Sequence, residues 1–275
     1  MNEKTRADIA LVSRGLCESR EKARAAIMAG IVYIGERKVL KSSESVDPDD
    51  SLLIRAPQLQ YVSRGALKLE KALRVFGADL REKVVMDIGA STGGFTEVCL
   101  QAGASHVYSI DVGYGQLNWK LRNDPRVTVM ERTNARYLTT EMFPLRPDAA
   151  VMDVSFISIR LIIPSADRIM GPDGVFYTLI KPQFEAGRDK VGKKGVVRSE
   201  ETHRAVLEQT IEFTEASGLC MVNLDYSPIT GPEGNIEFLA EIRHAACGMV
   251  PVTSERVHEV VDEAHHKLNN PGGGV

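Results

Sequence analysis

Four charged residues interrupt or end runs that are otherwise apolar. They are Asp153 in DAAVMDVSF (148–156), Lys181 in GVFYTLIKP (174–182), Glu237 in NIEFLAEIR (235–243), and Lys68 beside the stripe Leu69, Leu73 and Phe76. The first three runs read as strands, and the stripe as a helix within SRGALKLEKALRVFG, capped by Ser63 and ended by Gly77. In an open parallel sheet the carboxyl ends of the strands line the ligand crevice, which aims Asp153 and Lys181 at a bound molecule. Glu237, opening an antiparallel strand, falls at the same edge. Two ammoniums and two carboxylates gathered there could take a proton from a weak oxygen nucleophile. A lysine accepts that proton only when its pKa is depressed. Burial and a second ammonium both depress it, while carboxylates oppose the shift but orient the amine. Lys181 is therefore expected as general base, and Lys68 as the cation that tunes it or steadies a developing oxyanion. Asp153 and Glu237 are expected as orienting carboxylates. Two structural ion pairs at strand ends would show the same spacing, and a lysine beside an apolar stripe can simply snorkel to water.

What these charges act on depends on KVVMDIGASTGGFT, residues 83–96, an apolar run that passes Asp87 into a glycine-dense turn and a helix start. Glycines remove the Cβ atoms that would hold a ligand off the backbone. No lysine follows Gly93 or Gly94 to hold a triphosphate, and Ser91 takes the middle place of what would otherwise be GxGxxG. Asp87 suits a cationic group, and Asp111, closing HVYSIDVG, can accept from both hydroxyls of a ribose. S-adenosylmethionine has an ammonium, a ribose and no phosphate, so it is the expected cofactor. Its expected contacts are Asp87, Gly89, Ser91, Gly93, Asp111, Asn134 and Asp153. Asn134 would meet the adenine edge or merely form a turn, and the glycine loop would also suit a generic nucleotide fold with Asp87 as a cap. An oxygen activated by Lys181 would take the sulfonium methyl by in-line displacement.

The elements that must position these residues follow from alternating apolar strands and amphipathic helices. Strands at 106–112, 127–135, 148–156 and 174–182 follow the first, with helices between them and SEETHRAVLEQTIEFTEASG, capped by Ser199, after the last. That order implies a parallel sheet covered on both faces. CMVNLDYSPI (220–229) and NIEFLAEIR are joined by TGPEG, too short for a helical crossover, so the last strand should run antiparallel. The fold class is α/β, a mostly parallel seven-stranded sheet with an antiparallel last strand, preceded by a small α+β domain. The expected boundaries are 1–57 for the small domain, 58–62 for a linker behind Pro57, and 63–275 for the large domain.

In the small domain Thr5 with Asp8 reads as a capping-box start, Ser19 caps a second helix, and IVYIGERKVL forms a hairpin around Gly35. The cations that could lie on phosphates are Arg14, Arg20, Lys22, Arg24 and Arg64, with Arg188, Lys190, Lys193 and Lys194 of the glycine-bearing loop 183–198. Interspersed Glu18, Glu21 and Glu36 would equally suit a solvated face. In the tail Val257, Val261, Ala264 and Leu268 share a helical face, and His265 and His266 are expected at the surface rather than on a metal.

A formal net charge of −3 excludes a global polyanion binder and makes any nucleic-acid surface local. Cys17, Cys99, Cys220 and Cys247 lie far apart without CxxC spacing and read as reduced thiols of a cytoplasmic protein. No apolar run approaches the roughly 18 residues that span a membrane. The fourth strand ends DVSF rather than Asn/Asp-Pro-Pro-aromatic, and no Pro-Cys stands at a strand end. Methylation of a base nitrogen, or through cysteine attack on a pyrimidine, is therefore disfavoured, and oxygen methylation remains.

LVSRGLCESREKARAAIMAGIVYIGERKV resembles the S-four-type RNA-binding module. Lys68 in SRGALKL, the loop DIGASTGGFT, Asp153 in MDVSF, Lys181 in LIKPQFE and Glu237 in GNIEFL are similar to the tetrad and cofactor loop of FtsJ-type ribose 2′-O-methyltransferases. Over about residues 5–245 the chain resembles the TlyA, or hemolysin A, family. The resemblance implies a Rossmann-like methyltransferase fold and 2′-O-methylation of cytidine, with ribosomal RNA or ribosomal subunits as partners. The connector LQYV at 59–62 departs from the Arg-x-Trp-Val that members of the family often carry. A non-catalytic RNA-binding or ribosome-assembly factor would not need the tetrad. A membrane-active hemolysin would need an amphipathic or spanning segment, and the sequence offers none.

Overall fold

The computed structural model describes residues 4–28, 30–54, 61–192 and 194–269. The chain divides into two compact units, Met1–Gln60 and Tyr61–Val275.

The first unit contains β1 (Thr5–Arg6), α1 (Ala7–Ser13), α2 (Arg20–Met28), β2 (Val32–Ile34), β3 (Arg37–Lys38), β4 (Ser45–Val46) and β5 (Leu52–Ile54). Strand β2 lies between β3 and β5 in a three-stranded antiparallel sheet, and β1 pairs with β4. Small and branched side chains close the core, chiefly Ala7, Leu11, Ala23, Ile27, Val32 and Val46. Gly35 takes φ +58 in the β2–β3 turn, a backbone angle that favours glycine. The capping box expected at Thr5 and Asp8 does not form. Thr5 is in β1, the N-cap is Arg6 without a side-chain cap, and Asp8 is buried among arginines. Ser19 does cap α2, accepting from the Lys22 amide at 3.2 Å.

The second unit contains α3 (Ala66–Phe76), β6 (Val84–Ile88), α4 (Gly94–Gln101), β7 (His106–Ile110), α5 (Trp119–Arg122), β8 (Val127–Met130), β9 (Ala149–Met152), α6 (Ile163–Met170), β10 (Val175–Ile180), α7 (Pro182–Glu185), α8 (Glu200–Ala216), β11 (Leu219–Tyr226), β12 (Phe238–His244) and α9 (Ser254–Asn269). The seven strands are ordered β11-β12-β10-β9-β6-β7-β8. Strand β12 is antiparallel to both its neighbours, and the pairs from β10 to β8 are parallel. Alternate residues feed two cores, as a sheet covered on both faces requires. Val85, Val107 and Val151 pack with Leu69 and Val98 of α3 and α4, and Met86, Ile110 and Phe176 with residues of α6, α8 and α9.

The strands stop earlier than their apolar runs suggest. Strand β7 ends at Ile110, β9 at Met152 and β10 at Ile180, so Asp111, Asp153 and Lys181 each stand one residue past the ladder. Pairing ends where the polar side chains begin, and the chain turns away over the carboxyl edge of the sheet. The expected cap at Ser63 is also displaced, because α3 begins at Ala66 with Gly65 as N-cap and no side-chain cap. Gly77 ends α3 at φ +64, and Ser199 caps α8 through the Thr202 amide at 3.2 Å.

Candidate active site

Lys68 sits within the buried stripe of α3, next to Leu69 and Ala72, with its side chain only 8% exposed. It points along the sheet edge, 2.6 Å from Glu237 Oε2 and 3.3 Å from Asp153 Oδ2. The other Asp153 oxygen, Oδ1, lies 2.5 Å from Lys181 Nζ, and that ammonium donates to Ser155 Oγ at 3.0 Å. The series Glu237, Lys68, Asp153, Lys181 is thus continuous, with each interior charge flanked by its opposite. Such alternation is what makes burial tolerable, since an unpaired ion in this setting would cost several kcal/mol. Glu237 is fixed further by Gln183, whose amide lies 3.5 Å from Oε1, and by Gly231, where a Cβ would fall 2.8 Å from the same oxygen. The four residues expected to meet here do so, lining a cleft of ≈ 280 Å³ together with Ser155 and Arg64.

A second cavity of ≈ 470 Å³ adjoins it, and Gly89, Ser91, Asp153 and Ser155 line both. Gly89 has φ +87, and a Cβ there would meet the Asp153 carbonyl oxygen at 2.7 Å, so bare backbone is needed between β6 and β9. Asp111 anchors the turn, taking the Ser91 amide at 2.8 Å and the Gly113 amide at 2.7 Å. Asn134 lines the cavity and also accepts from the Arg136 amide at 3.1 Å, so the turn and the site use the same side chain. Bare backbone at Gly89, a carboxylate at Asp111 and apolar walls from Ile110 and Ile157 fit an adenosine-bearing cofactor.

Two expected contacts are placed elsewhere. Gly93 lines neither cavity; its φ of +97 and the closeness of Leu117 and Leu121, 2.8 and 2.3 Å from where a Cβ would sit, give it a packing role. Asp87 is fully buried and lines neither cavity. Its Oδ2 accepts from Thr96 Oγ1 at 2.6 Å, the Thr96 hydroxyl lies 2.8 Å from Ser109 Oγ, and among the described residues Oδ1 has no hydrogen-bond partner. Burial pushes the Asp87 carboxyl up to about 7 against the opposing Thr96 bond. The reason is strand parity: Asp87 is in register with Ser109 and Val151 inside the sheet, whereas Asp111 lies beyond it.

Several residues that the fold brings to the site carry no local signal in the sequence. Ser155 and Phe156 lie in the DVSF segment, next to Asp153. Phe156 is 90% exposed at φ +64, its ring 5.2 Å from that of Phe184. Glu185 ties this segment to α7. Its buried carboxylate accepts from Ser158 Oγ at 2.6 Å and the Ile159 amide at 2.9 Å, with Arg160 Nε at 3.5 Å. Burial raises its pKa. Asn235 fastens the end of the basic loop, accepting from the Val197 amide and donating to the Gly195 carbonyl.

The expected phosphate-binding cations have mixed fates. Arg14, at the surface, donates to the carbonyls of Asp47, Pro48 and Asp50 and so holds a loop. Arg20 and Arg24 both engage Asp8, and Lys22 pairs with Glu18. Arg64 donates to the Thr230 carbonyl at 3.1 Å on the wall of the smaller cleft. Arg188 and Lys190 bound a 3-10 turn, Lys190 and Lys194 are exposed, and Lys193 lies outside the described residues. His265, expected at the surface, is half-buried with its Nε2 2.8 Å from Nδ1 of His203.

A mostly parallel seven-stranded sheet with antiparallel β12, carrying a Lys-Asp-Lys-Glu array at its carboxyl edge, defines a Rossmann-like methyltransferase. Residues 61–243 match the FtsJ-like methyltransferase family and residues 5–52 the S4 domain, and the chain belongs to the TlyA, or hemolysin A, family of FtsJ-like methyltransferases. The YqxC protein of Bacillus subtilis is 50% identical over 277 residues, covering 100% of this chain and 99% of that protein. The 16S/23S rRNA (cytidine-2′-O)-methyltransferase TlyA of Mycobacterium tuberculosis is 42% identical over 244 residues, covering 88% of this chain and 91% of its own. A solved structure from Streptococcus thermophilus that carries a hemolysin name superposes with a TM-score of 0.79 at 42% identity, covering 100% of both chains. Among the described residues no helix is long and apolar enough to cross a membrane.

Proposed function

We propose that this enzyme transfers the methyl group of S-adenosylmethionine to the 2′-hydroxyl of a cytidine in ribosomal RNA. The observation that carries this reading is the unbroken array of Glu237, Lys68, Asp153 and Lys181 opening into the cavity beside the glycine turn. When bound, the cofactor supplies an electrophilic methyl. Gly89, Ser91, Asp111 and Asn134 are the residues that would hold it. Lys181 takes the hydroxyl proton at Nζ, which Asp153 and Ser155 aim by holding it at 2.5 and 3.0 Å. Lys68, fixed between two carboxylates, supplies the positive charge that steadies the oxygen as it becomes anionic. Phe156 and Phe184 offer ring faces on which an unstacked base could rest, as single-stranded RNA recognition commonly requires.

In this reading residues 1–57 are an RNA-holding domain, 58–62 a linker and 63–275 the catalytic domain, with Lys190 and Lys194 meeting RNA phosphates. A ribosomal substrate implies the cytoplasm. The cytidine target follows the printed activity of the Mycobacterium tuberculosis relative. Neither a lytic role nor a purely RNA-binding role gives the four-charge array a task.

The test is transfer of labelled methyl to unmodified ribosomal subunits, followed by nucleoside analysis. Wild type should produce 2′-O-methylcytidine. Lys181→Ala should lose about 10²- to 10⁴-fold in rate, the usual worth of a positioned base, with cofactor binding retained. Intact cofactor binding without transfer to subunits or to protein-free ribosomal RNA would refute the substrate.

A further inference from the structure

The segment DVGYGQL after β7 carries a side chain that the fold itself does not use. Gln116 is exposed and lines the larger cavity beside Asp111 and Ser91. Its carboxamide lies across Gly113, where a Cβ would fall 2.2 Å from Nε2 and 2.9 Å from Cδ. Gly113 is not among the glycines with a left-handed backbone angle, so the bare position there makes room for the amide rather than for a turn. The same Cβ would fall 3.1 Å from Asp111 Oδ1, which makes the Gln116 amide nitrogen and the Asp111 carboxylate neighbours. Ser91 supplies the third side of the arrangement. It holds φ +48, a region where glycine costs least, yet it keeps a hydroxyl. That hydroxyl donates to Gln116 Oε1 at 3.5 Å and so fixes which end of the amide is which. Among the described residues Nε2 has no hydrogen bond.

An ionised carboxylate only accepts hydrogen bonds. Asp111 already takes one backbone amide on each oxygen, from Gly113 on Oδ1 and Ser91 on Oδ2, and each oxygen keeps a further acceptor direction. A ribose diol can donate both hydroxyl protons there, but its own oxygens then remain as acceptors that Asp111 cannot answer. An amide N–H beside the carboxylate answers one of them. We propose that Gln116 is a cofactor-positioning residue, its Nε2 donating to a ribose hydroxyl oxygen of S-adenosylmethionine while Asp111 accepts from the diol. Gly113 seats the amide and Ser91 orients it, so the segment after β7 and the glycine turn grip the sugar together. This rests on the reading of S-adenosylmethionine as cofactor.

The experiment titrates full-length wild type and Gln116→Ala, without RNA, with S-adenosylhomocysteine and with its 2′-deoxy and 3′-deoxy analogues, and reads Kd by calorimetry. Gln116→Ala should bind S-adenosylhomocysteine about tenfold more weakly, the loss of one well-placed hydrogen bond. With the analogue that lacks the contacted hydroxyl, wild type and variant should bind alike, because the partner of the amide is already gone. Equal binding of S-adenosylhomocysteine by the two proteins overturns the contact, and so does a tenfold gap that persists with both analogues. Either result, with wild type binding normally, leaves the cofactor reading standing. Failure of the wild type to bind S-adenosylhomocysteine overturns both. Gly113→Ala tests the seat, since its methyl would displace the flexible end of Gln116. It should weaken binding by a similar factor in the wild type and add little to Gln116→Ala, whereas full additivity overturns the seating of the amide on Gly113.

Discussion

Asp87 and Asp111 are both carboxylates at the end of an apolar run beside the glycine turn, yet they do different work. Asp111 takes backbone amides at the cavity rim, while Asp87 is sealed in the sheet with one oxygen unpartnered among the described residues. Burial lifts the Asp87 carboxyl from an ordinary 3.8 to about 7. Between those values the unfolded chain is ionised while the folded one keeps its proton, so this residue's contribution to stability falls as pH rises through the window and levels off above it. Asp87→Asn removes the titration. The melting temperature of the variant, relative to wild type, should therefore climb between pH 4 and 7. Parallel curves in a scanning-fluorimetry series over that range would show that Asp87 is no stronger an acid in the unfolded state than in the folded one.

At the scale of elements, the site depends on two segments that leave adjacent strands and must keep their spacing. One carries Asp153, Ser155 and Phe156 after β9, and the other carries Lys181, Gln183 and Phe184 after β10. Glu185 is the strut between them, bonded to Ser158 and Ile159. It touches none of the four charges, so it positions rather than reacts. Removing it should let the Ser155–Phe156 turn, already at a left-handed backbone angle, relax away from Lys181. Glu185→Ala is expected to lower kcat about 10- to 100-fold, as small misplacements of reacting groups do, while the melting temperature shifts by only a few degrees. Single-turnover methyl transfer at saturating RNA is the measurement, and an unchanged rate would reduce Glu185 to a fold-holding role.

Across the catalytic unit, α8 and α9 cover one face of the sheet and are joined by the His203–His265 contact, with Glu200 near the outer ring. Burial first, then the neighbouring imidazole, lowers His203 from 6.5 to about 4. Its folded-state pKa lies below its unfolded value, so the stability it contributes is present above pH 6.5 and is lost as pH falls toward 4. His203→Gln should flatten that acid loss. Amide protection factors in α8 and α9 of the wild type should fall more steeply from pH 6.5 to 4.5 than in the variant, and equal pH dependence would point to other groups.

Much of this molecule is settled by local pattern. Apolar runs alternating with capped helices imply a parallel sheet, the TGPEG connection implies an antiparallel final strand, and the glycine turn between β6 and α4 leaves bare backbone at the sheet edge. Lys68, Asp153, Lys181 and Glu237 were legible because a charge inside an apolar run must find either an opposite charge or a task. Tertiary structure alone decided which charges were already engaged. Nothing in the local pattern shows that Arg20 and Arg24 each donate to Asp8, 12 and 16 residues earlier. Asp87 reads as a ligand carboxylate until Thr96 and the parity of β6 turn it inward. Local periodicity fixes which face a side chain leaves from, but the partner it meets there comes from another element, and only the packing of those elements sets the distance.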